Sequence, residues 1–261
     1  MGNTLQLGDV EVTALIPLMN RATETQRKHP RVRDDKAMEI VETLGVKTAK
    51  YDKLVTHECV VARTIMFDEA LRDLITRYPD ATVVNLGCGL DNRFARVDNG
   101  RIRWYDLDLP DSIEVRRKVF SDTERRTMLP VSVLDASWTE KVKAGSPGMV
   151  IAVAEGLLMY LSREENARVL QLLQSVPKGF LLAELMHPKM MDEKKHDTVR
   201  HTKARFGWGT DSGKEMEALC SGVHLLSEHS FSEQLRKSTP VARLIGVVSA
   251  KINNRLAVFS W

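Results

Sequence analysis

The stretch VVNLGCGLDNR, Val83 to Arg93, has the composition of a strand running into a nucleotide-binding turn. Gly87 and Gly89 stand one residue apart, so the chain can bend tightly and a nucleoside can approach bare backbone where a Cβ would collide with it. Two glycines alone are a weak signal. The next apolar run, RIRWYDLD, strengthens it by ending in Asp106 and Asp108. Asp108 follows Gly89 by about 20 positions, the spacing at which an acidic side chain reaches the two hydroxyls of a ribose. Both carboxylates cannot crowd one ribose. Pro110 marks the chain's exit from the strand, and Asp111 with Glu114 reads as a capping box, so Asp108 is the expected ribose ligand and Asp106 its rival.

The turn departs from the dinucleotide fingerprint. Asn92 stands where a third glycine belongs, and Asp91 is expected to occupy the free N–H groups of the following helix and to repel phosphate. A ligand with an adenosine ribose and no phosphate suits such a turn, and S-adenosylmethionine is one, its sulfonium and ammonium tolerating nearby carboxylates. Two further acids end strand-like runs. Asp135, in VSVLDAS, is placed to accept from an adenine amino group, and Glu155, in VAEGLLMYL, to face the amino-acid end. Each alone reads more readily as a helix cap or loop residue; together they favour a cofactor cleft.

These residues need elements to position them. From Val10 to Tyr78 the pattern is helical, with Ala37, Ile40, Val41 and Leu44 on one stripe ending at Gly45 and Phe67, Leu71, Leu74 and Ile75 on another. From Ala81 the short runs ATVVNLG, RIRWYDLD, RTMLPVSVLD, GMVIAVAEG and KGFLLAEL alternate with helix-like stretches, the grammar of a parallel sheet with right-handed crossovers. The polar segment from about 186 to 230 reads as a helical lid or substrate-facing insertion, within which Met186, Met190 and Met191 suit either an adaptable pocket or helix packing. The last apolar runs, VARLIGVVSA and NRLAVFSW, suggest an antiparallel hairpin closing the sheet. The expected division is a helical extension at 1–80 and a cofactor-binding domain at 81–261.

Composition narrows the function classes. With 261 residues, 43% hydrophobic, 28% charged and a formal net charge of +3, the chain reads as an ordinary globular protein without the dense basic face that nucleic acid or an anionic membrane requires. The clusters Arg116–Arg117–Lys118 and Arg125–Arg126 read as solvated surface. Cys59, Cys88 and Cys220 are odd in number and scattered, with no zinc spacing, and His57–Glu58 lacks a second histidine at helical spacing, so no metal is expected. No signal segment or membrane span is legible, and a cytoplasmic location is the expectation.

The motifs NLGCGLDNR, YDLDLPDSIEVRRKV, VLD and EGLLMYL resemble those of the leucine carboxyl methyltransferase-like family, in particular its bacterial branch associated with polyketide O-methylation. The resemblance runs from about Leu15 to Trp208. It implies an α/β, Rossmann-like class I methyltransferase fold: a mostly parallel seven-stranded sheet with a C-terminal antiparallel hairpin, an N-terminal helical extension and a late helical insertion. It also implies that Gly87, Cys88 and Gly89 form the cofactor turn, that Asp108 takes the ribose, and that Asp135 and Ala136 border the adenine. Glu155 would face the methionine ammonium and Arg63 would pair with the cofactor carboxylate, whereas pattern alone makes Arg63 a surface helix residue. Arg21 matches a basic cofactor-side position more loosely.

The expected chemistry is in-line methyl transfer to an oxygen of a small molecule, carboxylate or hydroxyl. A carboxylate acceptor is already ionised at neutral pH, whereas a phenol needs a base. Tyr160 and His187 are the candidate acceptor contacts, although a core tyrosine and a surface-loop histidine are the plain readings of the two. An NAD-dependent oxidoreductase, a cofactor-binding module without turnover, and methylation of a protein carboxyl terminus are the alternatives. The oligomeric state is not legible.

Overall fold

The computed structural model describes residues 12–45, 53–146, 148–192 and 204–261. Three helices come first: α1 (Val12–Thr25), α2 (Asp35–Leu44) and α3 (Leu54–Arg77). Strand and helix then alternate through β1 (Thr82–Leu86), α4 (Arg93–Val97), β2 (Arg103–Asp108), α5 (Pro110–Arg117), β3 (Arg126–Pro130) and α6 (Ser137–Gly145). They continue through β4 (Val150–Ala154), α7 (Arg163–Gln174) and β5 (Gly179–Leu185). The chain ends with α8 (Gly213–Glu217), β6 (His224–Ser230), α9 (Phe231–Arg236), α10 (Pro240–Val248) and β7 (Arg255–Ser260).

The seven strands form one sheet in the order β3-β2-β1-β4-β5-β7-β6. The first five are parallel, and β7 runs antiparallel to both β5 and β6. The winding reverses between β1 and β4, and at such a switch point the carboxyl ends of the strands leave a crevice that neither neighbouring crossover fills. Strands β1 and β4 are buried along their whole length, because helices cover both faces, and this is why they read as almost unbroken apolar runs. Successive residues serve opposite faces: Val83 joins Phe67, Leu71 and Leu74 of α3, whereas Val84 joins Trp138 of α6 and Leu173 of α7.

A third apolar cluster sets the N-terminal helices over the glycine turn. Leu15, Leu18 and Met19 of α1 pack with Ile40 of α2, Ile113 of α5, and Cys88 and Leu90 of the turn itself. Truncating one of these buried side chains to alanine costs about 2–5 kcal/mol. Asp34 caps α2 by accepting from Ala37 N at 3.1 Å, and Gly45 closes it at φ +61°.

Four sequence expectations are corrected here. The segment 241–250 is not a strand: Thr239 caps and Pro240 opens α10, whose Ala242 and Gly246 face inward while Val241, Leu244, Val247 and Val248 face out. The antiparallel pair that closes the sheet is β7 with β6, and β6 lies inside the region read as insertion. It is an edge strand, half exposed along its length, so HLLSEHS could carry polar residues that a central strand excludes. The other edge, β3, stops at Pro130 rather than Asp135. Finally, Leu109 is the N-cap of α5, so Asp111 and Glu114 make no capping box. Residues 193–203 of the expected lid lie outside the described residues. The described part beyond them is tied down by Gly207 N to Met159 O at 2.8 Å and Thr210 N to Met186 O at 2.9 Å. Among the described residues no helix is long and apolar enough to cross a membrane.

Candidate active site

The crevice at the switch point holds a cavity of about 330 Å³, within the range of about 300–1,000 Å³ in which small ligands are bound. Its floor is the turn after β1, where Gly87 has φ +63° and Gly89 φ +47°, a conformation that side chains with a Cβ rarely adopt. A Cβ on Gly87 would meet Leu157 Cδ1 at 2.9 Å, whereas one on Gly89 would face open space beyond Ala14. The walls are Asp108, Leu109 and Ser112 after β2, Glu155 to Leu157 after β4, Arg63 of α3 and the α1 residues Ala14, Pro17 and Arg21.

The two aspartates of β2 have different surroundings. Asp106 is fully buried, and its carboxylate accepts from Trp104 Nε1 at 2.8 Å, Asn85 Nδ2 at 3.2 Å, Arg116 Nη2 at 3.0 Å and Arg126 Nε at 2.7 Å. Burial pushes this carboxyl up, but the two guanidiniums with Trp104 push it further down and hold it below the usual carboxylate range. Arg116 also donates to Gly89 O at 2.6 Å and Asp91 O at 2.7 Å, so the ion pair buttresses the glycine turn from behind. The arginine clusters read as solvated surface are therefore corrected at these positions: Arg116 and Arg126 are buried, because a buried carboxylate requires paired donors.

Asp108 faces the cavity. Its oxygens accept from Gly89 N and Leu109 N, both at 2.8 Å, and the Ser112 side chain bonds it as well. Burial pushes its carboxyl above the usual range despite these hydrogen bonds and the Arg116 charge. A carboxylate desolvated yet incompletely paired is suited to a diol that supplies two more donors.

Asp91 differs from expectation in its partners. It does not cap α4, whose N-cap Asn92 makes no side-chain bond. It lies 3.0 Å from Arg93 Nη1, 3.1 Å from Arg96 Nη1 and 3.5 Å from Arg21 Nη2. Burial raises this carboxyl and the three arginines lower it further, leaving it well below the usual range. The network extends through Asp68, 2.7 Å from both Arg93 Nε and Arg96 Nε, and through Asp34, 2.9 Å from Arg21 Nε. Glu155 joins it by pairing with Arg93 Nη2, while its other oxygen lies 2.8 Å from Arg63 Nε. Around the cavity two arginines, Arg21 and Arg63, thus stand against three carboxylates, Asp91, Asp108 and Glu155. Asp91 and Glu155 are each paired with arginines, which reduces the negative charge they present to the cavity.

A second cavity of about 290 Å³ adjoins the first and shares Pro17, Arg63, Gly156 and Tyr160 with it. Its remaining surface is mainly apolar, with Ile16, Val60, Met159, Met186, Met190 and Phe231. Tyr160 stacks on Phe206, ring centroids 5.5 Å apart, and burial with the nearby Glu184 carboxylate pushes its phenol up to about 12.

The structure brings Arg63, Gly87, Cys88, Gly89, Asp108, Glu155 and Tyr160 together around the first cavity, with Arg21. It does not bring Asp135, Ala136 or His187 there. Asp135 and Ala136 are exposed, and Asp135 accepts from Ser137 N at 2.7 Å at the start of α6. His187 is buried rather than on a surface loop, and its Nδ1 accepts from Lys189 N at 3.1 Å in the turn Pro188–Met190. Arg63 is mostly buried and engaged by two carboxylates, against the surface reading that pattern alone favours. Glu184 and Gly156 were missed. A glutamate in the otherwise apolar GFLLAEL was the available signal for the first; Gly156 had none beyond its place after Glu155.

Fold and crevice together define a class I methyltransferase. Residues 14–174 match the family model described as leucine carboxyl methyltransferase, and the chain belongs to that family. It is 29% identical over 256 residues to the tetracenomycin polyketide synthesis O-methyltransferase TcmP of Streptomyces glaucescens, covering 94% of this chain and 93% of that one. It is 27% identical over 201 residues to an S-adenosyl-L-methionine-dependent methyltransferase, dpfgK, of Gibberella zeae, covering 69% of this chain and 66% of that one. In fold it matches a Thermobifida fusca crystal structure provisionally assigned as a methyltransferase, with TM-score 0.64 at 12% identity over 96% of this chain and 95% of that one. The chain is an S-adenosylmethionine-dependent methyltransferase.

Proposed function

We propose that the protein methylates an oxygen of a small, largely apolar acceptor. The observation that carries this reading is the pairing of a cavity built from the glycine turn and carboxylates with a more apolar one, the two sharing Arg63, Gly156 and Tyr160. S-adenosylmethionine supplies the methyl group from its sulfonium. The glycine turn and Asp108 hold the nucleoside, Glu155 faces the ammonium, and Arg63 takes the carboxylate. The apolar cavity excludes water and holds the acceptor oxygen in line, a positioning effect worth several kcal/mol and up to about 7–11 in model systems. Tyr160, with its phenol pushed to about 12, keeps its proton at neutral pH and serves as a hydrogen-bond donor to the acceptor rather than as a base. The family description and TcmP both concern oxygen methylation, carboxyl in one and polyketide-associated in the other, and this supports an oxygen acceptor.

Labelled methyl transfer into a panel of aromatic acids, phenols and C-terminal peptides tests the proposal. Transfer to an acid or phenol supports it. Transfer confined to peptides overturns the small-molecule reading, and silence despite cofactor binding favours a module without turnover.

A further inference from the structure

Strand β5 is apolar along its inner length except for Glu184, whose side chain is 2% exposed. A carboxylate in such a place must be paired, and Glu184 draws its partners from three separate elements. Arg63 Nη1, on α3, donates to Oε2 at 3.1 Å; Gly156 N, in the turn after β4, donates to the same oxygen at 2.8 Å; Asn254 Nδ2, just before β7, donates to Oε1 at 2.9 Å. Glu184 lines the acceptor-side cavity, and Arg63 and Gly156 line both. The carboxylate therefore stands at the boundary between the two cavities, on the rigid sheet, and grips Arg63 and the Gly156 amide there.

The geometry points to Glu184 as the positioning residue that aims Arg63 at the amino-acid tail of the cofactor. Arg63 sits between two carboxylates, with Nε 2.8 Å from Glu155 Oε1 and Nη1 on Glu184. Without Glu184 the guanidinium keeps one anchor and is free to swing about it, and the Gly156 amide loses the acceptor that sets its turn. The planar fork of an arginine recognises a carboxylate only from a fixed orientation, so the loss falls on the tail and not on the adenosine. Asn254 holds the far oxygen and keeps Glu184 itself from rotating. This inference rests on the proposed role of Arg63.

The test compares calorimetric affinities for S-adenosylhomocysteine, which has the amino-acid tail, and 5′-methylthioadenosine, which lacks it. In Glu184→Gln the preference for S-adenosylhomocysteine is expected to fall about tenfold with affinity for 5′-methylthioadenosine unchanged. Loss of the negative charge beside Arg63 would by itself strengthen attraction for the tail carboxylate, so a fall in the preference reports lost orientation. Asn254→Ala, which leaves the Arg63 and Gly156 contacts in place, should show a smaller fall in the same direction and stands in if Glu184→Gln does not fold. Equal weakening of both ligands, or no change in their ratio, makes Glu184 a merely structural ion-pair partner and overturns the inference. Arg63→Ala separates the two levels. If it abolishes the preference while Glu184→Gln spares it, only the inference fails; if it too leaves the ratio unchanged, the role given to Arg63 fails, and the inference with it.

Discussion

Asp106 and Asp108 lie two residues apart on one strand, point to the same side of the pleat, and have opposite fates. Asp106 is enclosed by Trp104, Asn85, Arg116 and Arg126, whereas Asp108 is held by two backbone amides and the Ser112 side chain at the cavity wall. The first carboxyl is held below its ordinary range and the second above it. The difference teaches how two acids of one strand can be told apart: one is saturated by the protein, the other lines the crevice.

The largest effect should come from Asp106→Ala. It strands two buried guanidiniums and the Trp104 N–H, and a loss of about 3–5 kcal/mol in denaturant unfolding is expected. Next, Asp108→Ala should weaken S-adenosylmethionine binding by about 1–3 kcal/mol in calorimetry while moving the unfolding midpoint little. A midpoint drop as large as that of Asp106→Ala would erase the distinction between the two sites.

Acidification should move the two aspartates in opposite senses. Asp106, like Asp68 and Asp91, has a lowered folded pKa, so its stabilisation is present above the unfolded value of about 3.9 and is lost as pH falls through the folded value below that. Asp108 has a raised folded pKa, so its contribution is present below about 3.9 and is lost as pH rises through the folded value above it. In the role proposed for Asp108, protonation removes a ribose acceptor. Cofactor affinity should therefore decline on acidification at a higher pH than stability does, and coincident titrations of binding and urea unfolding would contradict this. The smallest effect is expected from Asp135→Ala: an exposed cap outside the cavity lining should leave cofactor affinity unchanged, and a clear drop would restore the adenine contact that the resemblance implies.

Much of the crevice was legible because its rules are local. The glycine turn, the acidic strand end at Asp108 and the apolar runs of β1 and β4 each follow from a few consecutive residues. Edge strands were harder to read. β6 was absorbed into the polar helical insertion since half of it meets water, and α10 resembled a strand since its apolar residues outnumber those it buries. Arg116 and Arg126 looked like surface charge, and only the burial of Asp106 explains them.

By itself the sequence determined the alternation of strand and helix, the bend at Gly87 and Gly89, and the acid that follows them, because backbone sterics and period-two patterning act over neighbouring residues. Tertiary structure alone decided which carboxylates are saturated and which face the crevice. Those outcomes depend on partners far apart in the chain, such as Arg63 with Glu184, 121 positions away, and Arg93 with Glu155, 62 away, whose pairing energy exists only once packing has removed the water between them.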